Sequence, residues 1–176
     1  MQTAVQTESV ADRAENMGGK YLTFVLDNEE YGLEILKVRE IIGMMNITSV
    51  PSTPDFVKGV VNLRGKVIPV TDLRLKFGMP GAETTEQTCI IVVDIGSVEM
   101  GILVDQVSEV LDIADDEIEE APSFGVAVNT DFILGMGKTE GRVTILLDIS
   151  KVLTGKEVAA IKEAGEGVEA DASPEE

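Results

Sequence analysis

The chain has 176 residues, 44% of them hydrophobic, with 32 acidic against 14 basic side chains, a formal net charge of −18 and no histidine. That much negative charge repels phosphate backbones and anionic lipid surfaces, which sets nucleic-acid and membrane-surface binding aside. Without histidine, and with Cys89 as the only cysteine, a structural zinc site, a Ser–His or Cys–His nucleophile and an internal disulfide are all out of reach.

Residues 1–19 carry no sustained periodicity and read as a flexible tail; they show no basic region followed by an apolar one, and no apolar run anywhere approaches the roughly 20 residues of a membrane span. The expected location is the cytoplasm. Tyr21–Leu26 reads as a strand, Asp27–Glu30 as a turn, and Tyr31–Leu33 as the start of the return strand. Ile35, Val38, Ile41 and Ile42 recur at helical spacing and predict a short amphipathic helix. Val60–Leu63 and Lys66–Thr71 flank a turn at Arg64-Gly65, and Asp72 is a good N-cap for a helix through Lys76 that Gly78 can stop. Thr88–Ile95 and Val98–Val104 form a hairpin across Gly96-Ser97. Residues 105–120 hold eight acids and no base, an expected solvated face. Asp131–Met136 and Arg142–Leu147 are strands around a turn near Gly141, and Asp148 caps another short helix. From Glu157 a frayed helix passes into an acidic tail.

The chain also resembles itself. At a shift of 69 residues Tyr31-Gly32-Leu33 lies over Met100-Gly101-Ile102, and Val38, Glu40 and Ile41 over Val107, Glu109 and Val110. At a shift of 76, Phe56, Gly59, Gly65, Val67 and Asp72-Leu73 lie over Phe132, Gly135, Gly141, Val143 and Asp148-Ile149. Each repeat supplies about five short strands, too many open edges for a soluble chain, and closure into two small barrels removes them. The repeat is also an internal control. Gly65 is kept as Gly141, whereas Arg64 becomes Glu140. The fold therefore does not demand Arg64, which is either a solvated turn charge or a functional group.

Other motifs fail on inspection. Gly137-Lys138-Thr139 lacks the upstream glycine of a phosphate-binding loop and is followed by a strand rather than a helix. Asp115-Asp116 lacks the alternating ligands and central glycine of a calcium loop. Paired carboxylates for glycoside chemistry stay open at this level, although aromatics are only 4% of the chain. A basic partner for the acid run is a further open reading. Cys89 sits among Ile90–Val93 as a small buried or half-buried residue.

Two stretches resemble the CheW family. Tyr31–Ile41 (YGLEILKVREI) is similar to its opening motif, and Gly59–Arg74 (GVVNLRGKVIPVTDLR) to its signature; the likeness runs from about Tyr21 to Leu153. It implies a mainly β fold of two SH3-like five-stranded barrels packed side by side with a few short helices. The expected domain spans 20–156, in approximate halves 20–87 and 88–156 that can exchange terminal strands. It further implies a non-enzymatic chemotaxis adaptor without cofactor or metal. Its implied partners are the like-folded regulatory domain of a CheA-type histidine kinase and the helical tip of methyl-accepting receptors. By analogy, Val38, Glu40, Arg64, Val107 and Val110 are expected at the receptor, in a groove between the barrels, with Glu40 and Arg64 ion-paired. Exposed Ile41, Met44 and Ile47 are expected at the kinase, the other reading being that they fill the first core.

Overall fold

The computed structural model describes residues 18–96, 98–120, 132–139 and 141–152. The expected tail over 1–19 lies outside them but for its last two residues, and the frayed helix and acidic tail over 157–176 lie outside entirely. The strands are β1 (Gly19–Leu26), β2 (Glu29–Glu34), β3 (Val38–Gly43), β4 (Val57–Leu63), β5 (Lys66–Asp72), β6 (Cys89–Asp94), β7 (Glu99–Val104), β8 (Gln106–Ile113), β9 (Ile118–Glu119), β10 (Ile133–Thr139) and β11 (Arg142–Leu147). Helix α1 (Leu73–Lys76) follows β5 and α2 (Ile149–Val152) follows β11. Both helices start as the sequence predicts. Asp72 accepts from the backbone N–H of Arg74 and Leu75, and Asp148 from that of Ser150, satisfying donors that a helix start leaves free.

Two sheets result. One runs β8-β1-β2-β11-β10-β9 and the other β3-β6-β7-β5-β4. They are the same object built twice. Leu22 pairs with Val110 as Ile91 pairs with Ile41; Gly32 pairs in parallel with Leu146 as Gly101 does with Val70; Gly59 pairs with Val70 as Gly135 does with Leu146. Even the register breaks correspond, at Val38/Glu40 against Leu22/Phe24 and at Val57/Gly59 against Ile133/Gly135. Each pairing maps onto its mate at the shifts of 69 and 76 residues seen in the sequence.

The sheets do not divide the chain at residue 87. Each takes its first two strands from one repeat and its remaining strands from the other. The connectors are short: Ile35–Lys37, one turn of 3₁₀ helix, between β2 and β3, and Asp105 alone between β7 and β8. Such connectors carry the chain onward to the neighbouring sheet. Strands β3 and β8 are mates in the repeat, and each pairs with the first strand of the other repeat, β3 with β6 and β8 with β1.

The helix predicted over Ile35–Ile42 is therefore mostly strand β3. Only Ile35–Lys37 is helical. The irregularity at Val38/Glu40 offsets the alternation there, and the offset mimics a helical period. Strand β8 lay hidden in the acidic run, because its Glu109 and Asp112 point to solvent while Ile113 is buried.

Alternation along the strands creates three clusters. Ile90 and Val92 point into the five-stranded barrel with Val61, Ile68 and Val70. Tyr21 points into the six-stranded barrel with Ile113 and Leu146. The opposite faces, Leu22, Phe24 and Leu26 on β1 and Ile91 and Val93 on β6, meet in a cluster of fifteen buried residues from both sheets. At about 1.5–3 kcal/mol per buried large apolar side chain, this shared layer outweighs the inner clusters of five and three. It packs the two sheets against each other through one continuous core. A run of rings, Phe24–Tyr31–Phe77–Phe132, crosses it with centroid spacings of 5.9, 5.9 and 5.1 Å.

Candidate functional site

The β4–β5 hairpin turns on Arg64 and Gly65, with φ of 55° and 87°. Two successive positive φ values suit the right-handed twist of a hairpin, and the Asn62 Oδ1 accepts from the Gly65 N–H at 2.8 Å. The turn throws the Arg64 side chain back to Glu40 on β3. Its Nη1 donates to Glu40 Oε2 at 3.3 Å and its Nη2 to Oε1. Strands β3 and β4 are the two ends of their sheet, so this fork spans the seam where that sheet curls closed. Each partner secures the other's charge: the guanidinium holds the Glu40 carboxyl below the usual range, and Glu40 raises the Arg64 pKa.

Beside the fork lies a recess of about 330 Å³ whose lining includes Arg39, Glu40, Arg64, Lys66 and Glu99. Glu99 receives Lys66 at 2.9 Å and Arg39 at 3.5 Å, and Arg39 also donates to Asp94 at 2.7 Å. The Asp94 carboxyl is held low by the Gly96 N–H first and by Arg39 second. Three fixed cations and two carboxylates around an open hollow can grip a polar, partly anionic surface.

The expected site residues separate into groups. Glu40 and Arg64 are together, as the pairing required. Val38 and Val107 are half-buried mates against the shared core, opposite Val93 and Phe24. Burial pushes the Cys89 thiol pKa up, and the Val107 backbone N–H, which donates to the sulfur, offsets part of that rise. Val110 is exposed on the edge strand β8, as its mate Ile41 is on β3, and Met44 is exposed beyond it. Ile47 follows the second of the two readings: it packs half-buried against the inner cluster of the five-stranded barrel. Thr48 bonds across to Val60, which draws the chain at Ile47 over the end of that barrel.

Sequence reasoning missed Arg39, Lys66 and Glu99. The first two flank Glu40 and Gly65, so alternating charge beside the turn was the available signal; Glu99 had none before β7 was placed. It also missed Arg74. That side chain, 14% exposed, forks onto Asp105 with two hydrogen bonds of 2.8 Å, donates to the Pro80 carbonyl at 3.0 Å and lies 3.7 Å from Asp27. Among the described residues no helix is long and apolar enough to cross a membrane.

Fold and site define a duplicated, strand-exchanged pair of barrels with a charged recess at the seam of one of them. The family model for the CheW-like domain matches residues 20–157. The chain is 45% identical over 147 residues to the chemotaxis protein CheW of Klebsiella aerogenes, covering 84% of this chain and 89% of that one. It is 36% identical over 137 residues to the CheW of Bacillus subtilis, covering 77% and 87%. The crystal structure of the scaffolding protein TtCheW from Thermoanaerobacter tengcongensis superposes with a TM-score of 0.73 at 35% identity, covering 80% of this chain and 96% of that one. The protein belongs to the CheW family of chemotaxis coupling scaffolds.

Proposed function

We propose that this protein is a non-enzymatic adaptor that joins methyl-accepting chemoreceptors to the regulatory domain of a CheA-type histidine kinase, in the cytoplasm and at membrane-associated receptor arrays. The observation that supports it best is the Arg64–Glu40 fork beside an open recess. The sister hairpin carries Glu140 at the place of Arg64, so barrel folding does not call for the pair. The receptor's helical tip packs on Val38, Val107 and Val110 with Glu40 and Arg64 at its flank, a helix laid on a largely apolar face. The kinase meets the exposed Ile41 and Met44, with Ile47 supporting them from the core side. The adaptor biases the kinase by binding its active and inactive states with different affinity.

Co-sedimentation with receptor-containing membranes and a CheA-type kinase tests this reading. Wild type should pellet with both. Arg64→Ala should stay folded and lose the receptor-dependent fraction. Equal pelleting of the two would remove Arg64 from the receptor site.

A further inference from the structure

The internal symmetry places a second recess, of about 380 Å³, on the six-stranded sheet; its lining includes Val25, Glu29, Glu30, Ser108, Arg142 and Val143. Three of its lining residues, Glu30, Ser108 and Arg142, are mates of residues lining the first, and Glu109 and Val25 stand close by as mates of Glu40 and Asp94. At a shift of 69, Glu30 corresponds to Glu99, Ser108 to Arg39, Val25 to Asp94 and Glu109 to Glu40; at 76, Arg142 corresponds to Lys66.

The correspondence exposes what the second recess lacks. In the first, Glu99 is held by two cations and Arg39 is braced by Asp94. In the second, Ser108 replaces the arginine and Val25 its brace. Glu30, only 14% exposed, accepts one hydrogen bond, from the neutral Thr144 hydroxyl at 2.9 Å, and Arg142 stands off at 3.8 Å. Arg142 is shared with Glu109 at 3.7 Å. Among the described residues no cation donates a hydrogen bond to Glu30. Two apolar side chains share the lining: Val25 and Val143, the latter 55% exposed. A largely buried carboxylate gains most from a fixed, charged donor, and where one recess carries the long Arg39 side chain the other carries the short Ser108.

We propose that this recess is a second docking site, which takes a basic segment of a partner protein carrying an arginine or lysine next to an apolar side chain. The cation reaches Glu30 and Glu109 over Ser108, and the apolar group rests on Val25 and Val143. The chain's own ends do not match: residues 1–17 hold three acids and one base, and 153–176 seven acids and two lysines. A second copy is disfavoured by the net charge of −18 on each. The occupant is therefore a different, basic chain.

The test uses the full-length protein, methyl-labelled at valine, titrated with a helical peptide in which two arginines one turn apart flank a leucine, and with the same peptide carrying glutamates for arginines. The arginine peptide should shift the Val25 and Val143 methyls saturably, less strongly at higher salt, and the glutamate peptide should not. Ser108→Arg, which supplies the missing cation in cis, and Glu30→Gln should each weaken binding about tenfold or more; Arg64→Ala should leave it unchanged. Ser108→Arg should still pellet with receptor membranes, which separates failure here from failure of the first site. No saturable shift, equal shifts with both peptides, loss with Arg64→Ala instead of Ser108→Arg, or methyl shifts that follow protein concentration without peptide would each overturn the proposal.

Discussion

The two barrels share their registers, their bulges, their parallel strand pair and carboxylates such as Glu99 and Glu30, yet they differ at key cations and their partners, Arg39 against Ser108, Arg74 against Ser150 and Asp94 against Val25. Where one recess carries Arg39, Lys66 and Glu99 in a closed network, the other carries Ser108, Arg142 and Glu30 in an open one. Where Asp105, the connector from β7 to β8, is gripped by Arg74, the connector from β2 to β3 is free enough to leave Leu36 93% exposed. Backbone pairing depends on alternation and on glycines at bulges and turns, and these were kept through the duplication. Charges at the rim cost the fold little to change, so the rim is where the copies diverged and where distinct partners can be told apart.

The largest expected difference between the copies lies at a glycine. A Cβ on Gly59 would sit 2.0 Å from the Thr48 carbonyl oxygen, and its φ of +142° disfavours any L side chain. On Gly135 the nearest atoms are the end of the Ile118 side chain at 2.7 Å and the Glu119 carbonyl oxygen at 2.8 Å, without the positive φ. Gly59→Ala should therefore destabilise by more than about 3 kcal/mol, strain and overpacking together, and Gly135→Ala by about 1–2 kcal/mol. Urea unfolding monitored by circular dichroism measures both, and equal losses would mean that the segment at Thr48 yields easily.

Next comes the one-sided clamp. Arg74→Ala removes three charge-assisted hydrogen bonds, two to Asp105 and one to the Pro80 carbonyl, and leaves the carboxylates of Asp27 and Asp105 without their shared cation, a loss of about 2 kcal/mol. Ser150→Ala, at the corresponding position after β11, should cost well under half of that. The clamp also sets the acid response. Arg74 holds the Asp105 carboxyl below the usual range, so its contribution is complete above the unfolded value, near pH 4, and is lost as pH falls further. Stability measured from pH 6 down to 2 should fall less steeply in Arg74→Ala than in wild type.

A smaller contrast appears in alkali. Tyr21 lies inside the six-stranded barrel, where burial, then Glu34 and then Asp115, push its pKa up to about 12. Its mate in the other barrel is Ile90, which does not titrate. A raised folded value means that the contribution is complete below the ordinary pKa of about 10 and is lost as pH rises through 12. Amide exchange along β1 and β8 should therefore quicken before that along β6 and β3. Tyr21→Phe should abolish the difference; its persistence would put the titrating group elsewhere.

How much of this could be read in the sequence follows the same division. The glycine turns at Gly65 and Gly141 and the caps at Asp72 and Asp148 are local devices, and residue type gives them away. The strand exchange is not local. The partner of β3 is β6, in the other repeat, and no alternation count along β3 names it. Strand β3 itself passed for a helix because Ile35, Val38, Ile41 and Ile42 straddle a bulge. Arg64 was legible because the repeat supplied a control lacking the arginine, and its pairing with Glu40 followed only from the family resemblance. Arg74 was not, since its partners Asp105 and Asp27 lie in separate turns that only the folded chain brings together.

The smallest effect on stability is expected at the Arg64–Glu40 pair, and it bears most on function. Arg64 and Glu40 are exposed enough for water to replace their contact, and the turn keeps its geometry through Gly65 and Asn62. Arg64→Ala also relieves nothing and strains nothing beyond a positive φ that any L residue would share. Its melting temperature should match wild type while receptor co-sedimentation falls. The charge exchange Glu40→Arg with Arg64→Glu then separates two roles. If the fork serves as a brace between β3 and the β4–β5 turn, the exchanged pair restores the brace and part of the binding. If Arg64 itself contacts an anionic group of the receptor, the exchange puts a carboxylate at the turn and binding stays lost. A lower melting temperature in Arg64→Ala alone would show instead that the fork mainly closes the barrel.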